Sequence, residues 1–388
     1  MPFRSLPLDP VLKFLFLVCA IVPLHSGFEK LAAQTQQPSI RGISNSLGFR
    51  EHRAGLWSYL NPEIQNPTGS EAQLEVVLFF AGAQNQKFAK RVTVPPRSIL
   101  RTSVPVLIPE TASRGIDVQV HLYDVSGNKP VLLLKELKQF QKGKRFQEQK
   151  RSYDTAISIR DSSFGESGSK YRATAMFQPA LRARQKDQDD AAELVSAARI
   201  YFNHNGRIGT STTMYLPTSA RAFESVDQIV LHNDHLLNDS GGLESVRRWV
   251  ARGGNLWIML DLVSEETVQR ILGDSIPFQM IDRTSLNTIQ ILEADPNSQA
   301  AIPKPRNFED PIEFVRVILN KGNLLQTHDG WPAAFSMKFN QGTVFFTTIG
   351  SRAWMRDRNP RLDPPIKNRL GVTQFTVTDP MEQLGYKM

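Results

Sequence analysis

From about residue 40 to 137 the apolar positions follow a period of two, run by run. "AQLEVVLFF" (72–80) is rich in strand-forming types, and "KFAKRVTV" (87–94) alternates through Phe88, Val92 and Val94. "IDVQVHLYDV" (116–125) sends Ile116, Val118, Val120 and Leu122 to one side and Asp117, Gln119, His121 and Tyr123 to the other. A period of two belongs to a strand with one buried face. "SILRTSVPVLI" (98–108) and "VLLLKEL" (131–137) add further strands, with Pro95-Pro96, Pro105 and Ser126-Gly127-Asn128-Lys129 as the breaks between runs. Short strands at this spacing predict an all-β sandwich over residues 40–137.

After residue 153 the period changes. "TAISIRD" (155–161) predicts a strand ending at Asp161, and "DDAAELVSAARIYF" (189–202) a helix lined by Leu194, Ala197, Ala198 and Tyr201. Asp189 and Asp190 suit the positive end of that helix. "DQIVLHND" (227–234) predicts a short strand through Ile229-Val230-Leu231. In "VRRWVARGGNLWIMLD" (246–261) a helix over 242–252 sets Leu243, Val246, Trp249 and Val250 on one face, and Gly253-Gly254 ends it. "NLWIML" (255–260) lacks polar alternation, as a strand buried on both faces should. Strand, helix, glycine turn and strand form the unit of a parallel sheet. Ser264 is expected to cap "EETVQRILG", and Asp310-Pro311 to open a helix with Val315, Ile318 and Leu319 inward. "FSMKFNQGTVFFTTIG" (335–350) predicts a hairpin turning near Asn340-Gln341-Gly342. The expected architecture is multidomain: an N-terminal all-β sandwich, a basic linker at 138–152, an α/β doubly wound (flavodoxin-like) parallel-sheet domain at 153–350, and an Arg/Pro-rich tail at 351–388, extended or poorly ordered.

Charge and composition add compartment to this picture. Arg4 and Lys13 precede "FLFLVCAIVPL" (14–24), too short an apolar run to span a bilayer comfortably and interrupted by Pro23. Residues 1–33 are expected to be a secretory signal peptide, with "KLAAQ" (30–34) offering cleavage after Ala33; an uncleaved anchor is the alternative. Cys19 is the only cysteine of the 388 residues. Cleavage would remove it, and with it disulfides, cysteine–zinc sites and cysteine nucleophiles. The chain carries a net charge of +8. Its densest basic stretch, "KELKQFQKGKRFQEQKR" (135–151), reads as a solvated linker or as a contact for anionic polymers. Nucleic acid is not expected for an exported chain without a recognition motif.

"NPTGSEAQLEVVLFF" followed by "VPPRSILRTSVPVLIP" resembles the immunoglobulin-like modules of exported bacterial proteins. "DQIVLHNDHL" and "LESVRRWVARGGNLWIMLD", with "GWPAAFSMKFNQGTVFFTTIG" as a closing segment, resemble the class I glutamine amidotransferase-like fold. That resemblance implies a ligand site at the carboxyl ends of the parallel strands. It does not carry the family's activity. Catalytic members use a cysteine on a strand-to-helix elbow with a nearby His and Glu. Here no cysteine follows residue 19 and no His-x-Glu occurs. The nearest serine elbow, "GESGS" (165–169), has Ser169 where a glycine belongs.

The candidate ligand-binding residues are therefore His232, Asn233, Asp234 and His235 after one strand and Asp261 after the next. His232, Asp234 and His235 could gather a metal, with His204 or His328-Asp329 added, but a turn with a hydrogen-bonded histidine is the simpler reading, and no metal or cofactor is assigned. Asp161, Asp234 and Asp261 can share one crevice as acid–base groups or serve as helix caps. Trp331 and Trp354 can stack on a sugar or fill the core. The expectation is a non-enzymatic binding or scaffold protein exported to the periplasm or cell envelope, with envelope or membrane-associated proteins as partners. A metal- or carboxylate-dependent hydrolase acting on glycans or other envelope polymers is the competing class, and a pure spacer the third.

Overall fold

The structure, a computed structural model, describes residues 37–45, 51–53, 55–80, 83–110, 116–133, 155–160, 174–177, 185–202, 208–211, 216–295, 302–359, 361, 363 and 374–384. The leader, the basic linker, Asp161, "GESGS" and His204 lie outside the described residues.

The N-terminal strands are β1 (Ser39–Asn45), β2 (Glu51–Arg53), β3 (Trp57–Asn66), β4 (Ala72–Phe80), β5 (Ala83–Val94), β6 (Ser98–Arg101), β7 (Val104–Leu107), β8 (Ile116–Asp124), β9 (Val131–Leu132) and β10 (Thr155–Arg160). They make two sheets, one of β1, β3, β6 and β7, the other in the order β2-β10-β8-β4-β5 with β9 on β8. The alternation in β4 is realised: Leu74, Val76, Leu78 and Phe80 are buried, opposite Val118, Val120 and Leu122 of β8 and against Leu60 and Ile64 of β3. Each such side chain contributes about 1.5–3 kcal/mol by leaving water. The sandwich is thus present, and it keeps a strand assigned above to the next domain. β10 pairs antiparallel with β8 and parallel with β2, not with the α/β sheet. β3 is hidden in the sequence by Asn61-Pro62. Those two residues fall where the partner changes from β7 to β6, so the missing proline N–H breaks no ladder bond.

The second unit runs β11 (Thr174–Phe177), α1 (Gln185–Tyr201), β12 (Gly209–Ser211), β13 (Gln228–Leu231), α2 (Ser240–Ala251), β14 (Asn255–Met259), α3 (Glu265–Leu272), β15 (Phe278–Ile289), β16 (Leu292–Glu293), β17 (Arg306–Leu319), β18 (Asn323–His328), β19 (Trp331–Phe339) and β20 (Gly342–Thr347). Its sheet has the order β12-β11-β13-β14-β20-β19-β18-β16. β12, β11, β13, β14 and β20 are parallel, and β19, β18 and β16 continue antiparallel. Both faces are covered. Ile229, Leu231, Leu256, Ile258, Val344 and Phe346 pack with α2 and α3, whereas Met176, Val230, Trp257, Met259 and Phe345 pack with α1. α2 buries Leu243, Val246, Trp249 and Val250 as its spacing predicts, and Gly253 takes a φ of +114° just beyond its end. Tyr59 of the sandwich is buried in the α2-side core, edge-on to Phe223 at 6.2 Å, so the two units share packing. No described helix is long and apolar enough to cross a membrane.

Two further expectations fail. The helix opened by Asp310-Pro311 is instead part of β17, which pairs antiparallel with β15 as a two-stranded ribbon. Ile312, Val315, Val317 and Ile318 are β-branched and favour a pleated strand. Pro311 lies in a wide bulge, where residues 308–311 face only Asn287 between the pairs Leu286↔Ile312 and Thr288↔Asn307. The tail is also not simply extended. Ser351–Trp354 form a 3-10 turn with Trp354 in the core, β21 (Met355–Asp357) pairs with β22 (Phe375–Val377), and α4 (Asp379–Leu384) follows. Trp354, Met355, Val377, Met381 and Leu384 complete the α1-side core.

Candidate functional site

A cleft of about 650 Å³ opens at the carboxyl ends of β14 and β20, beside the first turns of α1. Open α/β sheets present their ligand crevices at this edge. Three segments build it. The turn after β14 is closed by Leu262 and Val263 N–H groups donating to the Met259 carbonyl, which presents Asp261 to the cavity. The turn after β20 carries Gly350, whose N–H donates to the Glu313 carbonyl at 2.9 Å. A Cβ on Gly350 would meet the Ile312 side chain at 3.0 Å, so glycine lets the ribbon close against the sheet. The β15–β17 ribbon forms the remaining wall. It is held by Val315 N–H donating to the Thr348 carbonyl at 2.8 Å and by Arg283, which donates to the carbonyls of Leu260, Asp261 and Val263 at 2.9, 2.9 and 3.0 Å and pairs with Glu313. Across the mouth, Lys186 of α1 meets Asp310 of the β17 bulge at 2.7 Å.

The charges along the cleft are ordered. Asp261, buried at the cleft wall, has Glu313, Arg283 and Asp187 as charged neighbours. Burial pushes its carboxyl up to about 7, with Glu313 and Asp187 adding to the rise and Arg283 opposing it. Asp190 comes next. Burial raises its pKa, and Arg352 beside it acts against that rise. Arg306, Arg352 and Arg356 gather at the far end, next to Phe308 and Phe375.

The structure separates most of the residues predicted for the site. Of His232, Asn233, Asp234, His235 and Asp261, only Asp261 lines the cleft. His232 is 3% exposed, and burial pushes its pKa down to about 4. Asn233 donates to the Phe177 carbonyl and accepts from the His235 N–H at 2.9 Å. Asp234 turns away to the start of α3. Its Oδ1 accepts from Ser264 N at 2.8 Å, Ser264 Oγ at 2.9 Å and Thr267 Oγ1 at 2.5 Å. Asp234 and Asp261 therefore do not share a crevice as an acid–base pair. Asp234→Ala is expected to cost about 1–2 kcal/mol, the range of a lost cap, read as a lower urea midpoint; an unchanged midpoint would show that Ser264 caps α3 without it.

Among the described residues no three His, Cys, Asp or Glu side chains gather as a metal would require. His328 is buried edge-on to Phe314 and hydrogen-bonded at Nδ1 with the Gln290 carbonyl, and Trp354 donates from Nε1 to the Ile349 carbonyl at 3.0 Å. Trp331 lies beneath the Arg316 guanidinium. Asp187, Glu313, Arg306 and Arg352 also line the cleft, and no local pattern singles out the first three. The available signal for Arg352 was "SRAWMRDR" (351–358), a basic run with an interleaved tryptophan immediately after a buried strand.

No protein-family model matches the sequence, and no curated protein matches it. Among solved structures, the chain is similar to the cytoplasmic protein STM1381 of Salmonella typhimurium LT2, at 17% identity and a TM-score of 0.32, over 41% of this chain and 75% of that one. It is similar to the cytoplasmic protein STM3548 of Salmonella typhimurium at 15% identity and a TM-score of 0.31, over 41% and 74%. It is also similar to Cwp6 of Clostridium difficile at 10% identity and a TM-score of 0.20, over 60% of this chain and 39% of that one.

Proposed function

We propose that this chain is a non-enzymatic binding or scaffold protein of the bacterial cell envelope, exported by its leader and built on a degenerate, flavodoxin-like form of the class I glutamine amidotransferase-like domain. The covered parallel sheet and the position of the cleft support that ancestry. One observation bears on the ancestral chemistry: among the described residues the lining of the cleft is acids, guanidiniums, the Lys186 ammonium, an amide, hydroxyls and apolar groups, with neither a thiol nor an imidazole. Glutamine hydrolysis by a thiolate has no nucleophile there. The site keeps the concave shape and the convergent polar groups of a ligand pocket.

The test is a thermal-shift screen of the full chain against soluble glycans, sugar acids and amino acids, with Ser285→Trp as the blocked cleft. Ser285 lines the cavity from the exposed face of β15, so the bulky ring fills space without touching the core. The expected result is a ligand that raises the melting temperature of the wild type and not of Ser285→Trp. No stabilising ligand, or equal shifts in both proteins, would overturn the reading.

A second reading, a carboxylate-dependent hydrolase of glycans or other envelope polymers, is favoured by one observation. A carboxyl held near 7 in a cleft is poised to donate a proton at neutral pH, the role of a general acid. Turnover of a polysaccharide that is lost in Asp261→Asn would establish it over the binding role.

A further inference from the structure

We infer that the arginine end of this cleft is an oxyanion subsite, taking a carboxylate or phosphate group carried by the ligand. The inference rests on the cleft being a ligand site, as proposed above. Three guanidiniums reach the same corner from separate elements: Arg306 from the start of β17, Arg352 from the turn after β20, and Arg356 from β21. Only Arg356 is matched, by a two-pronged pair with Asp363 at 2.6 and 3.0 Å. Arg306 gives one N–H to the Ala353 carbonyl at 3.1 Å and lies over the Phe308 ring at 5.0 Å. Arg352 lies over Phe375 at 4.7 Å. Among the described residues neither of these two forms an ion pair; Asp357 faces Arg306, and Asp190 and Asp310, the latter paired with Lys186, face Arg352.

Two like charges are thus held together, each with one face on an aromatic ring and without a carboxylate in its fork. The repulsion shows in Arg306, whose pKa is lowered by burial and then by Arg352 and Arg356. A planar guanidinium fork presents paired donors at the spacing of two oxyanion oxygens, and such charge-assisted bonds are the strong ones. A smaller cavity of about 330 Å³ that shares Arg306, Phe308 and Arg356 with the cleft adds one cation, Lys304, and one acid, Asp379, so it leaves the charge of the corner unchanged. The rest of the ligand lies toward Asp187, Asp190, Asp261 and Glu313, which suit hydroxyl or amino donors. The chemistry that matches both ends is a hydroxylated acid, such as a uronic acid or a phosphorylated sugar.

The experiment is isothermal titration of the full chain with inorganic phosphate, galacturonate and galactose at low and moderate salt. At least one anion is expected to bind, with galactose about tenfold weaker or more and with affinity falling as salt rises. Binding of phosphate alone assigns the group as a phosphate; binding of galacturonate alone assigns it as a carboxylate. Arg352→Gln, an exposed change on the turn, is expected to weaken the anion about tenfold without moving the melting temperature, and Arg306→Gln to weaken it as much while lowering the melting temperature through its lost bond to the Ala353 carbonyl. If neither anion titrates, or if both variants bind unchanged, the inference is wrong. A neutral ligand excluded by Ser285→Trp, with both anions silent, would overturn this inference and leave the cleft's binding role standing. Silence from every ligand would remove both.

Discussion

Asp261→Asn is expected to stabilise the protein by up to about 4 kcal/mol at pH 8 and to change little at pH 4. The carboxyl is buried just past the end of β14, and that burial pushes it up to about 7 from an ordinary value of 3.8. Between those values the folded chain holds a proton that the unfolded chain has lost. Unfolded chains then bind fewer protons, and stability falls as pH rises through this window. Below about pH 4 both forms are protonated and the aspartate costs nothing. Above about pH 7 the folded form must carry a buried charge beside Glu313, and the penalty is complete. Asparagine keeps the shape and removes the charge, so the two proteins should agree in acid and diverge toward pH 8. The measurement is a set of urea midpoints from pH 4 to pH 8. A constant difference across that range would show that Asp261 is ionised throughout in the fold. The same experiment bears on function, because a hydrolase using Asp261 as its acid would show a matching fall in rate above neutrality.

Much of the frame is legible in the sequence because it is written in local periodicity. The alternation of β4 and β8, the stripe of α2 and the unbroken apolar run of β14 each report burial directly. The α3 cap at Ser264 was legible for a similar reason, since its Oγ accepts from Thr267 N three residues on. Long-range pairing was not legible. "TAISIR" (155–160) has the same apolar pattern whether it joins the sandwich or the α/β sheet, and only its partners β8 and β2 decide. Asp310-Pro311-x-Glu carries every local mark of a helix start, yet Ile312, Val315 and Val317 gain more from cross-strand contact with β15. β11 is four residues long, below the length at which a period can be read.

The site divides in the same way. Asp261 was found because its position follows from one strand, and a side chain just past the end of a buried parallel strand faces the crevice. His232 and Asp234 met the same local criterion, but burial took one and the α3 N-terminus the other. The acids and arginines that share the cleft with Asp261 come from α1, the ribbon and the segment after β20. No window of sequence contains them together. Their convergence depends on the ribbon, whose Asp310-Pro311 segment carries the local marks of a helix start.

That dependence makes Arg283 the residue whose loss should disturb the cleft most. Its guanidinium, about a third exposed, donates to three carbonyls of the turn after β14 and pairs with Glu313, so one side chain of β15 fixes turn and ribbon together. Arg283→Ala is expected to cost about 3 kcal/mol, less than the sum of its bonds, because water can reach part of the exposed rim. Glu313 would be left beside Asp261 without its cation, and two carboxyls with no intervening charge disfavour ionisation of either. The Asp261 carboxyl should therefore titrate higher in the variant than in the wild type, and the pH at which stability is lost should move upward with it. Arg283→Lys keeps the charge and lacks the fork, so it should restore the titration more fully than the stability. If Arg283→Ala melts like the wild type and titrates like it, the ribbon is held by its strand bonds and apolar packing alone, and the order of charges along the cleft does not depend on this clamp.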